Sequence, residues 1–149
     1  MNTVDLDRLI SHYMKRFDGV FSSDRLPLNP RMLLSNTHPY DKPREHWVAI
    51  YVSDDEDYRE YFDSFGRPPT DHFDSYMNKH CSRWTYNRNQ LESLASNFCN
   101  LYCACYCILR SRNVDMTRFV YFTNDTGLND LLEHELMCRL LNCVIFRIN

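Results

Sequence analysis

The chain has 149 residues, with 17 basic and 20 acidic side chains and a formal net charge of −3. This length suits one domain that buries its own core, and a hydrophobic fraction of 44% with only three glycines excludes disorder and a linker-rich array. The slightly acidic charge excludes an overall basic field for nucleic-acid binding, and no run approaches the roughly 18 apolar residues of a membrane-spanning helix. Because the N-terminus also lacks a secretory signal pattern, a soluble intracellular protein is predicted.

The first half of the chain is predicted to contain one helix and a β-hairpin. Apolar residues spaced three to four apart indicate an amphipathic helix over 4–16, followed by an irregular stretch and a short strand at 31–36. The segment "HWVAIYV" at 46–52 is apolar on both faces, which indicates a strand inside the sheet, covered on both sides. The polar turn "SDDEDY" leads back into a second strand over 59–65.

The second half alternates helices with one short strand. Residues 70–80 are predicted to form a helix capped by Thr70 or Asp71, and 83–87 a short strand. The run "NFCNLYCACYCILR" has helical length, and Ser96 or Asn97 is suited to cap it. Cys99 therefore falls in the first turn of this helix.

Two segments complete the chain. Residues 116–124 fit either a strand or a helix, whereas a stripe of leucines over 128–143 predicts a C-terminal helix. No repeat or domain boundary interrupts the pattern, so a single domain over 1–149 is predicted.

Four of the seven cysteines lie within nine residues, at 99, 103, 105 and 107. On a helix, thiols two residues apart point to different sides, and the face shared by Cys99, Cys103 and Cys107 spans about 12 Å, too long for one zinc site. An odd number of cysteines in an intracellular chain also argues against a disulfide framework. No metal or cofactor is predicted, and Cys103, Cys105 and Cys107 are interpreted as small buried hydrophobic residues.

Cys99 differs from its neighbours because a helix N-terminus favours a thiolate. A nucleophilic thiol also needs a base, which in turn needs an orienting group. If the hairpin turn is centred on Asp54 and Asp55, His46 lies directly opposite Asp63 with Cβ atoms about 5 Å apart, close enough to pair. A slip of one residue would place Ser64 there instead. The alternative is that His46 and Asp63 are ordinary hairpin residues.

Three segments, "EHWVAIYV", "YFDSFGRPP" and "NQLESLASNFCNLYC", occur in an order and spacing that resembles the adenovirus-type cysteine endopeptidases. The resemblance is strongest to the relatives encoded by Maverick/Polinton transposons and allied DNA viruses. It implies an α+β, adenain-like and papain-related fold with permuted His-Asp-Cys order, in which the nucleophile's helix packs on a mixed central sheet flanked by helices.

The resemblance also implies roles for individual residues. His46 would be the general base, Asp63 its orienting group and Cys99 the nucleophile that attacks a peptide carbonyl. The backbone N–H of Cys99 would help to bind the tetrahedral oxyanion. Trp47 would either wall the site or serve as a core aromatic residue.

Two positions near Cys99 depart from the family pattern. The family usually has a glutamine seven residues before the nucleophile, where its amide donates to the oxyanion, and this chain has Glu92 there. A carboxylate cannot donate that hydrogen bond, and loss of one such donor typically costs about 100- to 1,000-fold in turnover. Gln90 would compensate only if the loop is shifted. The family also has glycine where this chain has Asn100, whose side chain would crowd the substrate.

The leading hypothesis is a cysteine endopeptidase that cleaves precursor proteins of its own virus or mobile element, such as capsid precursors. Two alternatives stay open, a catalytically impaired or dead relative that acts as a binding or scaffold protein and a ubiquitin-like-protein protease with the same His-Asp-Cys order. A polypeptide substrate, a monomer and a location in the host nucleus, the cytoplasm or the virion are expected. Adenoviral members are activated by DNA and a short peptide, which the charge of this chain does not support.

Overall fold

A computed structural model describes residues 3–43, 46–55, 57–79, 81, 83–94 and 97–125, together with Glu135 and Arg139. Within these residues the chain has the predicted α+β architecture with a mixed sheet, and the sheet has five strands. The strands are β1 (Gly19–Phe21), β2 (Met32–Asn36), β3 (Trp47–Val52), β4 (Arg59–Asp63) and β5 (Trp84–Tyr86). The helices are α1 (Thr3–Tyr13), α2 (Asp71–Asn78), α3 (Cys99–Arg110) and α4 (Met116–Asp125), and one turn of 3-10 helix covers Ser23–Arg25.

The spatial order of the strands follows the chain, from β1 to β5. The central strands β2, β3 and β4 are antiparallel, whereas the outer strands β1 and β5 run parallel to their neighbours. β3 is thus the middle strand, which confirms its predicted place inside the sheet. β1 lies in a stretch predicted to be irregular, because three residues are too few to show an alternating pattern and their pairing partner lies in β2.

Helices cover both faces of the sheet. Successive side chains of a strand point to opposite faces, so neighbouring residues of β3 and β4 enter different clusters. On one face, side chains of α1, α3 and α4 pack with Met32, Leu34, Ala49 and Phe62. On the other face, Phe73 and Met77 of α2 pack with Leu33, Val48, Ile50 and Tyr61. Nine of the twelve residues of α3 are buried, and the ring of its Tyr106 stacks on Phe62 with centroids 4.6 Å apart.

The β3–β4 hairpin is confirmed, but its predicted register is wrong. Val48, rather than His46, lies opposite Asp63, which is a displacement of two residues. The loop is longer than a turn centred on Asp54 and Asp55, because the Ser53 N–H donates to the Tyr58 carbonyl at 2.9 Å. A displacement of two keeps side chains on the predicted faces, since the side-chain period of a strand is two. His46 therefore lies diagonal to Asp63, one residue before β3.

The predicted helices at 4–16 and 70–80 are confirmed as α1 and α2, and Thr70 is the N-cap residue of α2. The helix at Cys99 is also confirmed, but its predicted cap is wrong. Phe98, not Asn97, is the N-cap residue of α3, and no side-chain hydrogen bond is made from that position. Ser96 lies outside the described residues.

The segment over 116–124, which fitted either a strand or a helix, is helical and forms most of α4. The predicted C-terminal helix over 128–143 lies outside the described residues except for Glu135 and Arg139, whose side chains form an ion pair of 2.6 Å at i, i+4 spacing. In the described part of the chain, no helix has the length and apolar character needed to cross a bilayer.

Candidate active site

His46 and Asp63 lie together at one end of the sheet, where β3 begins and β4 ends. Nε2 of His46 is 2.8 Å from Oδ1 of Asp63, and 14% and 4% of the two side chains are exposed. A hydrogen bond shielded from water in this way is electrostatically stronger than one at the surface. The two side chains therefore meet even though their predicted direct opposition is wrong.

Asp63 is held in place by neighbouring groups as well as by its strand. Its Oδ1 also accepts a hydrogen bond of 2.8 Å from the backbone N–H of Phe65. The side chain of Asn87 fixes the backbone of Asp63 through both of its polar groups, because its Oδ1 accepts from the Asp63 N–H at 2.9 Å and its Nδ2 donates to the Asp63 carbonyl at 2.6 Å. Asn87 lies directly after β5, so the edge strand of the sheet fixes the position of the carboxylate.

Phe65 covers the imidazole of His46. The two rings stack with centroids 4.6 Å apart and planes 15° from parallel. The guanidinium carbon of Arg67 lies 4.9 Å from the centroid of the Phe65 ring. Sequence reasoning did not identify Phe65 or Asn87 as parts of this site. The only available signal for Phe65 was its position two residues after Asp63.

The start of α3 places Cys99 at the same end of the sheet. Cys99 is the first residue of the helix and is only 7% exposed. One turn later, the Cys103 thiol donates to the backbone carbonyl of Trp47, the residue after His46, at 3.4 Å. This contact holds the first turns of α3 against the start of β3.

The ionisation of His46 reflects both of its neighbours. Burial alone would lower the pKa of His46, but the hydrogen bond to Asp63, the interaction with the Cys99 thiol and the negative charges of both partners outweigh it and raise the pKa to about 9. Nδ1 of His46 is buried and has no hydrogen-bond partner among the described residues. This nitrogen remains available to exchange a proton with the thiol.

The carboxylate of Glu92 is buried beside the start of α3, with a residue exposure of 1%. Its Oε1 accepts a hydrogen bond of 2.8 Å from the backbone N–H of Phe98, and its Oε2 accepts one of 2.5 Å from the Ser64 hydroxyl. Gln90 donates through its side-chain Nε2 to the Glu92 carbonyl at 2.9 Å. Both carboxylate oxygens thus accept hydrogen bonds from the protein itself.

Asn100 directly follows Cys99 in the chain, and Trp47 directly follows His46. The Oδ1 of Asn100 accepts from the backbone N–H of the next residue, Leu101, at 2.9 Å, so this side chain folds onto its own helix. Trp47 is half-buried and packs against the core cluster on the α3 face of the sheet. The role of Trp47 as a wall of the site stays a prediction.

The cysteines that follow Cys99 on α3 are packing residues. Cys103, Cys105 and Cys107 are at most 1% exposed, and burial raises the pKa of the Cys103 and Cys107 thiols well above the usual range. The structure describes these three, with Cys81 and Cys99, as free thiols. Among the described residues, no group of three His, Cys, Asp or Glu side chains is arranged to hold a metal ion.

Comparisons with known proteins agree with this architecture. No protein-family model matches the chain, and no curated protein matches it in sequence. Among solved structures, the crystal structure of the ASFV pS273R protease is similar, with a TM-score of 0.54 and 22% sequence identity. The match covers 73% of this chain and 44% of that one, so this chain spans less than half the length of that protease. At this identity the likeness shows a shared fold.

Proposed function

We propose that this chain is a cysteine-type endopeptidase in which Cys99 is the nucleophile, His46 the general base and acid, and Asp63 the group that orients His46. The observation that carries the proposal is the His46–Asp63 hydrogen bond of 2.8 Å at the end of the sheet where α3 begins with Cys99. The similar fold of the ASFV pS273R protease supports the same reaction class. The chain order of the triad is then His-Asp-Cys.

The proposed reaction begins from a thiolate–imidazolium pair, in which the Cys99 thiol proton already resides on Nδ1 of His46, a buried nitrogen that is unpartnered among the described residues. The thiolate attacks the carbonyl carbon of a peptide bond, and the electron pair of the C=O bond moves to oxygen. The backbone N–H of Cys99, at the positive end of α3, donates to this oxyanion. The imidazolium of His46 then protonates the leaving amine as the C–N bond breaks, which leaves a thioester on Cys99.

Water completes the proposed cycle. His46, now neutral, removes a proton from a water molecule that attacks the thioester carbonyl. The C–S bond breaks, the carboxylic acid product leaves and the thiolate–imidazolium pair is restored. Asp63 keeps one orientation of the imidazole throughout, because its Oδ1 is itself fixed by the Phe65 N–H.

We propose a polypeptide substrate, specifically precursor proteins of a virus or mobile element such as capsid precursors. The resemblance of the motifs around His46, Asp63 and Cys99 to the adenovirus-type endopeptidases supports this substrate class. We also propose that the enzyme acts as a monomer, without a cofactor, in the host nucleus or cytoplasm or in the virion.

A second candidate is a protease-fold protein that binds partners without cleaving them. It is favoured by Glu92, because a carboxylate that already accepts two hydrogen bonds cannot donate one to an oxyanion. On this alternative, wild-type protein would be inert against every peptide substrate.

Selective labelling and cleavage test the proposal together. Iodoacetamide near neutral pH should alkylate Cys99 in preference to the other thiols, and Cys99→Ala should abolish both this labelling and the cleavage of a peptide library. Cys107→Ala is the matched control, because it removes a fully buried thiol from the same helix, about two turns beyond Cys99, and should retain cleavage. Slow, uniform labelling of all thiols with no cleavage would reject the proposal. Cleavage restricted to ubiquitin-like substrates would reassign the substrate class.

A further inference from the structure

Glu92 lies between the two halves of the site. Ser64, which donates to Glu92 Oε2, directly follows Asp63, and Phe98, which donates to Glu92 Oε1, directly precedes Cys99. One buried carboxylate therefore connects the residue beside the proposed orienting group to the residue beside the proposed nucleophile. The two connected residues are 34 positions apart in the sequence.

The backbone around Glu92 reinforces this connection. The N–H groups of Leu91 and Glu92 both donate to the Ser64 carbonyl, at 2.9 and 3.1 Å. The loop that leads to α3 is thus attached to the end of β4 by its main chain as well as by the Glu92 side chain. Rotation of the carboxylate would break its hydrogen bonds to the Ser64 hydroxyl and the Phe98 N–H, which is unfavourable because water has little access to these groups.

α3 also depends on Glu92 for the start of its helix. A phenylalanine at the N-cap position has no side-chain oxygen to accept a hydrogen bond from the helix, and Phe98 makes none. Glu92, from the preceding loop, places a carboxylate there instead. Negative charge at a helix N-terminus is favourable, because the unpaired backbone N–H groups carry partial positive charge.

We propose that Glu92 is a positioning residue that holds the first turn of α3, and with it Cys99, against the His46–Asp63 pair. This inference rests on the proposed function. It differs from the sequence-based interpretation, in which Glu92 stands where an oxyanion donor is missing. Glu92 acts through Ser64 and Phe98 and does not itself touch the substrate.

The two interpretations of Glu92 give different outcomes for Glu92→Gln. The glutamine carbonyl can accept from the Phe98 N–H, and its amide can donate to the Ser64 hydroxyl oxygen, so the connection survives in a neutral form. If Glu92 is a positioning residue, Glu92→Gln should therefore keep kcat within a few-fold of wild type. If Glu92 instead stands where an oxyanion donor is missing, Glu92→Gln should raise kcat by about 100-fold or more.

Glu92→Ala removes both hydrogen bonds, and a misplacement of about 1 Å at the reacting groups can cost roughly 100-fold in rate. We expect kcat to fall by about that factor with little change in KM, and Cys99 alkylation by iodoacetamide to lose its rate advantage over an ordinary thiol. Ser64→Ala removes one of the two hydrogen bonds, so its kcat should lie between those of Glu92→Gln and Glu92→Ala. The matched control is Asp71→Ala, which removes an exposed carboxylate from the first turn of α2 on the other face of the sheet.

Each measurement is made on wild type and all four variants, with amide hydrogen exchange of Phe98 and thermal unfolding as readouts independent of cleavage. Loss of kcat and of Phe98 protection in Glu92→Ala, with recovery in Glu92→Gln, supports the positioning role. A Glu92→Ala protein that is less stable but keeps the wild-type kcat and alkylation rate would overturn it, as would a Glu92→Gln protein about 100-fold faster than wild type. An inert wild type without selective Cys99 labelling rejects the proposed function itself, and this failure is recognised before any variant is compared.

Discussion

The ring of Phe65 lies flat against the imidazole of His46, with centroids 4.6 Å apart and planes inclined by 15°. The backbone N–H of Phe65 also donates to Oδ1 of Asp63, the atom that faces the histidine. Phe65 therefore both shields the His46–Asp63 hydrogen bond from water and contributes to its geometry. Phe65 thus connects the end of β4 to the imidazole of His46.

Replacement of Phe65 should weaken the His46–Asp63 pair. In Phe65→Leu, water weakens both the burial that lowers the His46 pKa and the larger combined effect of Asp63 and Cys99 that raises it, so this pKa should move from about 9 toward its ordinary value of 6.5. Loss of the ring contact should also lower the free energy of unfolding by about 1 kcal/mol. An NMR titration of the His46 ring measures the pKa. Phe65→Tyr keeps the stacked ring, so the His46 pKa in this control should match that of wild type. An unchanged His46 pKa in Phe65→Leu would contradict the shielding role.

His46 should make the free energy of unfolding depend on pH. Its folded pKa of about 9 exceeds the ordinary value of 6.5, so its contribution to stability is fully present below about pH 6.5 and is lost as pH rises through 9. Urea denaturation across this range should show wild type losing stability relative to His46→Gln, whose side chain does not titrate there. Parallel pH dependences for the two proteins would argue against a raised His46 pKa.

The same ionisation should set an alkaline limit to peptidase activity. Protonated His46 supplies the proton to the leaving amine, so kcat/KM for peptide cleavage, which reports the ionisation of the free enzyme, should decline as pH rises through about 9. Alkylation of Cys99 needs only the thiolate and should not decline over that range. A pH profile of both rates on one protein sample tests this prediction, and a parallel decline of the two rates would point to unfolding instead.

Asn87 should be required for the placement of Asp63. Asn87→Ala removes the two hydrogen bonds to the Asp63 backbone and leaves buried polar groups unpaired, at a cost of about 1–3 kcal/mol each. We expect a lower unfolding midpoint in urea and a reduced rate of Cys99 alkylation. Asn29→Ala, at an exposed position, is the control and should behave as wild type. Equal stability of the two variants would show that the contacts of Asn87 are dispensable.

Gly66 should not tolerate a side chain. Its φ is +67°, and a Cβ at this position would lie 2.7 Å from the Asn89 carbonyl carbon and 2.8 Å from its oxygen. Gly66→Ala should therefore lower the free energy of unfolding by at least about 1–2 kcal/mol, through backbone strain and the clash with Asn89. Gly19→Ala is a matched control, because Gly19 also has a positive φ but a Cβ there meets no atom closer than 3.5 Å. Similar losses in both variants, measured by urea denaturation, would assign the effect to strain alone.

Local signals in the sequence identified most of the elements that carry the site. The apolar run at 46–52 and the cysteine-containing helix are long enough for their patterns to predict type and approximate position, and both were confirmed as β3 and α3. β1 was missed because three residues carry little pattern. The hairpin register was displaced by two residues because it depends on the conformation of the loop between Ser53 and Tyr58.

The residue types and spacing of His46, Asp63 and Cys99 were sufficient to select them as candidates. A base, a carboxylate and a thiol at a helix start can each be identified within its own segment of the sequence. The contacts that hold these residues were decided only by tertiary structure. Asn87 reaches Asp63 across 24 positions, and Glu92 joins Ser64 to the Phe98 N–H at the start of α3. Such contacts depend on how β5 and the loop before α3 pack against the end of β4. A pairing between distant segments leaves no periodic pattern in either segment, so it becomes visible only when the chain has folded.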